Sequence, residues 1–142
     1  MGNSQSNSNR KVNYEDVQYV IKNPEVHILI NTLNEREQTC LIPNTTSFQN
    51  ETEIINKCIK SGNKQVKIII YGKNCNDEKA YEKYNQLNSL GFYNIFIYAG
   101  GLFEWLMLQD IYGEKEFPTT KKEVDILKFK PNKLLNIHLL EY

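Results

Sequence analysis

The sequence predicts a single α/β domain built on an open parallel sheet with helices on both faces. Three short runs, 26–30, 66–71 and 95–98, are apolar at nearly every position, as strands buried on both faces must be. Segments with apolar residues at helical spacing lie between and around them, and that alternation is the mark of a parallel sheet with crossover helices. A chain of 142 residues has room for one core of ordinary size.

Residues 1–12, MGNSQSNSNRKV, carry almost no large apolar group and read as a flexible tail, because they bury too little surface to offset their ordering entropy. Asn13 is a good N-cap with Asp16 in the first turn, and Val17, Val20 and Ile21 share one face of a helix that Pro24 closes. Val26 to Ile30 follows as a strand, and residues 31–50 show no clear period. From Thr52 a second helix turns Ile54, Ile55, Cys58 and Ile59 to one side and stops at Gly62.

Val66 to Tyr71 is the strongest strand in the chain. The polar loop Gly72-Lys73-Asn74-Cys75-Asn76 leads into a helix from about Asp77, with Ala80, Tyr81, Tyr84 and Leu87 inward, Leu90 at the margin of the stripe and Gly91 as its left-handed end. Ile95 to Tyr98 is the next strand. The turn Ala99-Gly100-Gly101 then opens a helix carrying Leu102, Phe103, Leu106 and Met107 inward, which stops near Gly113. The domain proper is thus 13–113, followed by a C-terminal extension over 114–142. Within the extension Phe117 to Thr120 reads as a loop, and Leu134 to Leu140 fits strand and helix equally.

Composition narrows the function. Seventeen basic side chains balance seventeen acidic ones, which removes the electrostatic footprint of a dedicated nucleic-acid binder. The longest apolar run, Gly100 to Leu108, is interrupted by Glu104 and falls well short of the roughly 20 residues of a membrane span. The start of the chain lacks the apolar centre of a secretory signal, so the N-x-[ST] frames at Asn44 and Asn50 read as chance. Three widely spaced cysteines, Cys40, Cys58 and Cys75, suit reduced thiols in the cytoplasm better than a disulfide framework or a zinc site. No cofactor or metal is implied. His27 and His138 read as packed or surface histidines rather than bases, and Trp105 as an anchor for the last helix.

The segment Ile68-Ile69-Ile70-Tyr71, a loop, a helix ending in Leu90-Gly91-Phe92, Asn94 to Tyr98, and Gly100-Gly101-Leu102-Phe103-Glu104-Trp105 resembles the second half of a rhodanese domain. That family's pattern is strand, catalytic loop, helix, Gly-Tyr/Phe, strand and Gly-Gly-x-x-x-Trp. His27 to Thr32 and Leu41 to Thr45 stand, more faintly, at the family's strand-end Asp-x-Arg and Gly-His-Ile-Pro-Gly positions. The stretch from Tyr71 to Thr120 also resembles divergent rhodanese-like proteins of protists and giant viruses.

The resemblance implies a sulfurtransferase site with a cysteine at the first loop position after the central strand, its thiolate cupped by backbone N–H groups. Here that position is Gly72. Cys75 comes three places later, and placing it at the nucleophile position would need the strand to run on through Gly-Lys-Asn, which reads as a turn. Asp77 and Glu78 oppose negative charge on Cys75, although Lys73 and Lys79 partly offset them. The family's strand-end Asp and Arg fall at Asn31 and about Leu33, and its Gly-His at Cys40-Leu41. No arginine lies between 37 and 142 to close a phosphate loop, which argues against a phosphatase on this fold.

Two functional expectations follow. The first is a rhodanese-like domain without ordinary sulfurtransferase activity, a binding or regulatory module that takes an unknown protein or small anion at the loop formed by Gly72, Lys73, Asn74, Cys75, Asn76 and Asp77. The alternative is a thiosulfate-type sulfurtransferase with Cys75 as catalytic persulfide carrier. Separately, Met1-Gly2-Asn3-Ser4-Gln5-Ser6 fits the M-G-x-x-x-[ST] pattern for myristoylation of Gly2. A single acyl chain gives only marginal, reversible binding. The expected location is therefore the cytoplasm with weak peripheral membrane association.

Overall fold

The structure, a computed structural model, describes residues 10–135. Gly2 and the proposed lipidation pattern, His138 and most of the 134–140 segment lie outside the described residues. Four strands, β1 (Lys11–Val12), β2 (His27–Asn31), β3 (Lys67–Tyr71) and β4 (Ile95–Tyr98), form one sheet in the order β1-β4-β3-β2, with every pairing parallel. The helices are α1 (Tyr14–Lys22), α2 (Glu51–Lys60), α3 (Glu78–Ser89) and α4 (Gly101–Tyr112).

Strand alternation divides the core into two layers. Leu29, Ile69, Tyr71 and Tyr98 point to one face, where Val17 and Val20 of α1 and Leu102, Trp105 and Leu106 of α4 cover them. Ile30, Ile68, Ile70, Ile95 and Ile97 point to the other, against Ile55 of α2 and Ala80, Tyr84 and Leu87 of α3. The expected helices on both faces are therefore present, and Gly72 sits at the C-terminal end of a central strand.

Local chemistry sets the element ends. Asn13 and Asp16 form a reciprocal capping box, Asp16 N donating to Asn13 Oδ1 (3.1 Å) and Asn13 N to Asp16 Oδ2 (3.0 Å). Gly91, at φ +98°, supplies the left-handed residue after α3. Leu90 is 41% exposed rather than inward, because α3 has ended at Ser89 and Phe92 takes the buried place beyond the turn. Met107 is likewise 41% exposed: α4 buries Trp105 and Gln109 along with Leu102 and Leu106, which moves its inward stripe away from Met107.

The sheet and the core take in residues on either side of 13–113. Before Asn13, Lys11 and Val12 pair with Ile97 and Tyr98, and the Arg10 guanidinium lies 4.4 Å from the centroid of the Phe96 ring. A two-residue edge strand carries no readable periodicity, and its pairing comes from the backbone. The region after Gly113 is also no appendage to the 13–113 unit. Phe117 and Phe129 are buried in the α1/α4 layer. Phe117 meets Trp105 edge-on with ring centroids 5.1 Å apart, and Trp105 Nε1 donates to Pro118 O at 2.8 Å. Gln109 Nε2 donates to Phe117 O (2.8 Å), and Thr120 N to Leu41 O (2.8 Å).

This packing predicts that Phe117→Ala removes about 3–5 kcal/mol of stability, as for a large aromatic in a closed core. Urea denaturation measures it; a loss under about 1 kcal/mol would mean that the segment is an accessory.

Candidate functional site

The C-terminal ends of β2 and β3 open onto a polar cleft of about 390 Å³, where ligands bind in open parallel sheets. The loop from Gly72 to Asp77 forms one wall. Its backbone is fixed from the next crossover: Leu102 N donates to Gly72 O (2.9 Å) and Phe103 N to Lys73 O (3.0 Å). This approach explains the second glycine of the Gly100-Gly101 pair. Gly101 has φ +68°, and a Cβ there would lie 2.8 Å from Gly72 O and 2.9 Å from Asn74 N.

Within the loop, Asn76 N donates to Asn74 Oδ1 (2.9 Å), while Asn74 Nδ2 reaches Phe129 O (2.9 Å). The segment after 113 therefore ties down the site as well as the core. Asp77 caps α3. Its Oδ1 accepts from Lys79 N (2.9 Å), and its Oδ2 turns back into the loop to accept from Lys73 N (2.8 Å) and from Thr32 Oγ1 (3.3 Å). The carboxylate thus lies directly over Gly72. A Cβ built on Gly72 would meet Asp77 Cγ at 2.7 Å and Cβ at 2.9 Å.

The opposite wall comes from the turn after β2. Asn31 is buried and exchanges amide hydrogen bonds with Gln38 (2.8 and 3.1 Å) while its Oδ1 also caps Leu33 N (2.9 Å). A neutral amide pair therefore stands at this strand end. Lys73 Nζ is 3.4 Å from Glu37 Oε2, and Lys79 Nζ donates to Asn34 Oδ1 (2.8 Å). Lys130 and Asn132 complete the rim.

Of the residues expected here, Lys73, Asn74, Asn76 and Asp77 line one cleft, while Gly72 lies beneath the Asp77 carboxylate and does not line it. Cys75 is part of the same loop but does not line the cleft; it is exposed, with Sγ 3.8 Å from Asn76 Oδ1. Cys40 and Cys58 lie elsewhere, and burial pushes both thiols up. Sequence reasoning placed Asp77 at the helix start and in the candidate loop, as an acidic neighbour of Cys75, but missed the bonds its carboxylate makes back into the loop. The available signal was an aspartate immediately before a helix, a preferred cap. It also missed Thr32, Gln38 and the contribution of Phe129, Lys130 and Asn132.

The model of the rhodanese-like domain matches residues 15–108. The chain belongs to that family. Among solved structures, it is similar to the crystal structure of the Alr3790 protein from Anabaena sp., at 17% identity over 82% of this chain and 86% of that one, with a TM-score of 0.54. It is similar also to the solution NMR structure of the rhodanese-like domain of the same Anabaena protein, at 20% identity over 89% and 88%, with a TM-score of 0.55. At these identities the likeness speaks for the fold alone. No curated protein matches the sequence significantly. In this rhodanese-like domain no helix among the described residues is long and apolar enough to cross a membrane.

Gly101→Ala tests the fixing of the loop. The added methyl meets backbone at a positive φ, so about 2–4 kcal/mol of stability should be lost, read by chemical denaturation. A change below about 0.5 kcal/mol would show that α4 does not pin the loop.

Proposed function

We propose that this rhodanese-like domain is a divergent member without ordinary sulfurtransferase activity, and that it acts as a binding or regulatory module through the cleft over residues 72–77. One observation carries the reading: the Asp77 carboxylate lies over Gly72 and accepts the N–H groups of Lys73 and Lys79. In an active site of this kind those donors would serve a thiolate, a persulfide or a bound anion. With these two donors engaged internally, recognition falls mainly to side chains at the mouth, among them Lys79, Lys130 and Asn132. That favours a partner protein over a small anion as the occupant.

The alternative, sulfur transfer through Cys75, is supported by the exposure of its thiol and by Lys73 and Lys79 on either side of it in sequence. A thiosulfate:cyanide assay separates the two. Turnover should stay near the uncatalysed background and be unchanged by Cys75→Ser. Robust turnover that disappears in Cys75→Ser would replace the module with the enzyme.

We further propose that Gly2 is myristoylated in a cell with an N-myristoyltransferase, which the Gly2 to Ser6 pattern supports. Only Arg10 and Lys11 add positive charge nearby, and no cysteine is close to Gly2 for a second acyl chain. The protein should then partition between cytosol and membrane. Expression with an azide-tagged myristate analogue should label the wild type and leave Gly2→Ala unlabelled. Equal labelling of both, or none of the wild type, ends the idea.

A further inference from the structure

We infer that Asp77 and Gly72 form a coupled pair, in which the Asp77 side chain fills the space of a side chain at position 72 and shuts the loop against a nucleophile there. The inference deepens the reading above by naming the group that closes the site. The glycines with positive φ among the described residues are Gly62, Gly91, Gly101 and Gly113; Gly72 is not one of them. Its conformation is therefore open to an ordinary L-residue, and backbone strain gives no reason for glycine.

The reason is steric and comes from one residue. The three heavy atoms nearest a Cβ on Gly72 are Oδ2, Cγ and Cβ of Asp77. Rotating the carboxylate away would relieve the first two but not the third, since Asp77 Cβ, at 2.9 Å, moves only with the backbone. Nor is the carboxylate free to rotate. It is held by Lys79 N on one oxygen and by Lys73 N and Thr32 Oγ1 on the other. Two of these donors are backbone N–H groups on either side of the start of α3, where an anionic acceptor is favoured.

The two positions are thus exclusive. A side chain at 72 displaces Asp77 from its donors, and Asp77 in place leaves room only for hydrogen at 72. Glycine at 77 would resolve the conflict, because it removes the obstructing Cβ and is nearly as good an N-cap as aspartate. It would also release the N–H groups of Lys73 and Lys79 toward whatever stands at position 72. A thiol placed there would face the donors that now hold Asp77, and such a setting favours its thiolate.

A double-mutant cycle in thermal unfolding tests the coupling. Gly72→Ala alone should lower Tm by roughly 5–10 °C, the scale of an overpacked site, and Asp77→Gly alone by roughly 2–4 °C. The double variant should melt above Gly72→Ala alone. Additive losses would overturn the inference. The second measurement uses Gly72→Cys combined with Asp77→Gly, alkylated with iodoacetamide near pH 6 and read by peptide mass spectrometry. The new thiol should react at least about ten-fold faster than Cys75 in the same molecule, which serves as an internal reference. A rate equal to or below that of Cys75 would show that the freed donors do not activate a thiol. Failure of either measurement leaves the wild-type assay result intact, so the two readings fail separately.

Discussion

The upper face of the domain depends on one carboxylate held by backbone N–H groups from both sides of a helix start. Asp77 does three things with one side chain. It caps α3 through Lys79 N, closes the loop on itself through Lys73 N, and ties that loop to the end of β2 through Thr32. Each bond involves an ionisable acceptor near a helix N-terminus, where such bonds are stronger than neutral ones. The N–H groups of Lys73 and Lys79 thus bond to an anion supplied by the chain itself. The glycine at position 72 follows from that choice, since nothing larger fits beneath the carboxylate.

The scaffold makes the arrangement rigid. Central strand β3 delivers Gly72 to the sheet edge with Tyr71 buried behind it. The Tyr71 hydroxyl accepts from Ile42 N (3.2 Å) and bonds to Thr45 Oγ1 (2.8 Å), which joins the 42–45 turn to the same strand end. Burial pushes the Tyr71 hydroxyl well above the ordinary tyrosine range, so it stays a neutral hydrogen-bonding group. On the other side Gly101 lets α4 come within hydrogen-bonding distance of Gly72 O and Lys73 O. Asn74 adds a third attachment at Phe129. The loop is therefore clamped by the turn after β2, by α4 and by the C-terminal segment.

Much of this fold was legible because its signals are local and strong. The isoleucine-rich runs 66–71 and 95–98 could be little else than buried strands, and Asn13 with Asp16 in the first turn marked a helix start. Gly91 and Gly101 marked turns that both take positive φ. What escaped were features set by distant contact. β1 is two residues long and pairs through its backbone. The segment after Gly113 contains isolated apolar residues, Phe117 and Phe129, whose burial in the α1/α4 layer no periodicity describes. The candidate loop was located by the strand that precedes it, and the absence of a cysteine at Gly72 was plain from the sequence. The direction of Asp77 was not: an acidic residue before a helix reads as a cap, and nothing in its neighbours says that its second oxygen turns back over the loop.

Asp77 already takes the N–H groups of Lys73 and Lys79. Backbone amide chemical shifts report this directly, since an anion that captured an N–H group would move its resonance. Thiosulfate titrated into the ¹⁵N-labelled wild type should leave the Lys73 and Lys79 amide resonances where they are, apart from the uniform drift of ionic strength. A saturable shift confined to those two amides would show that an external anion displaces the carboxylate, and would contradict the account.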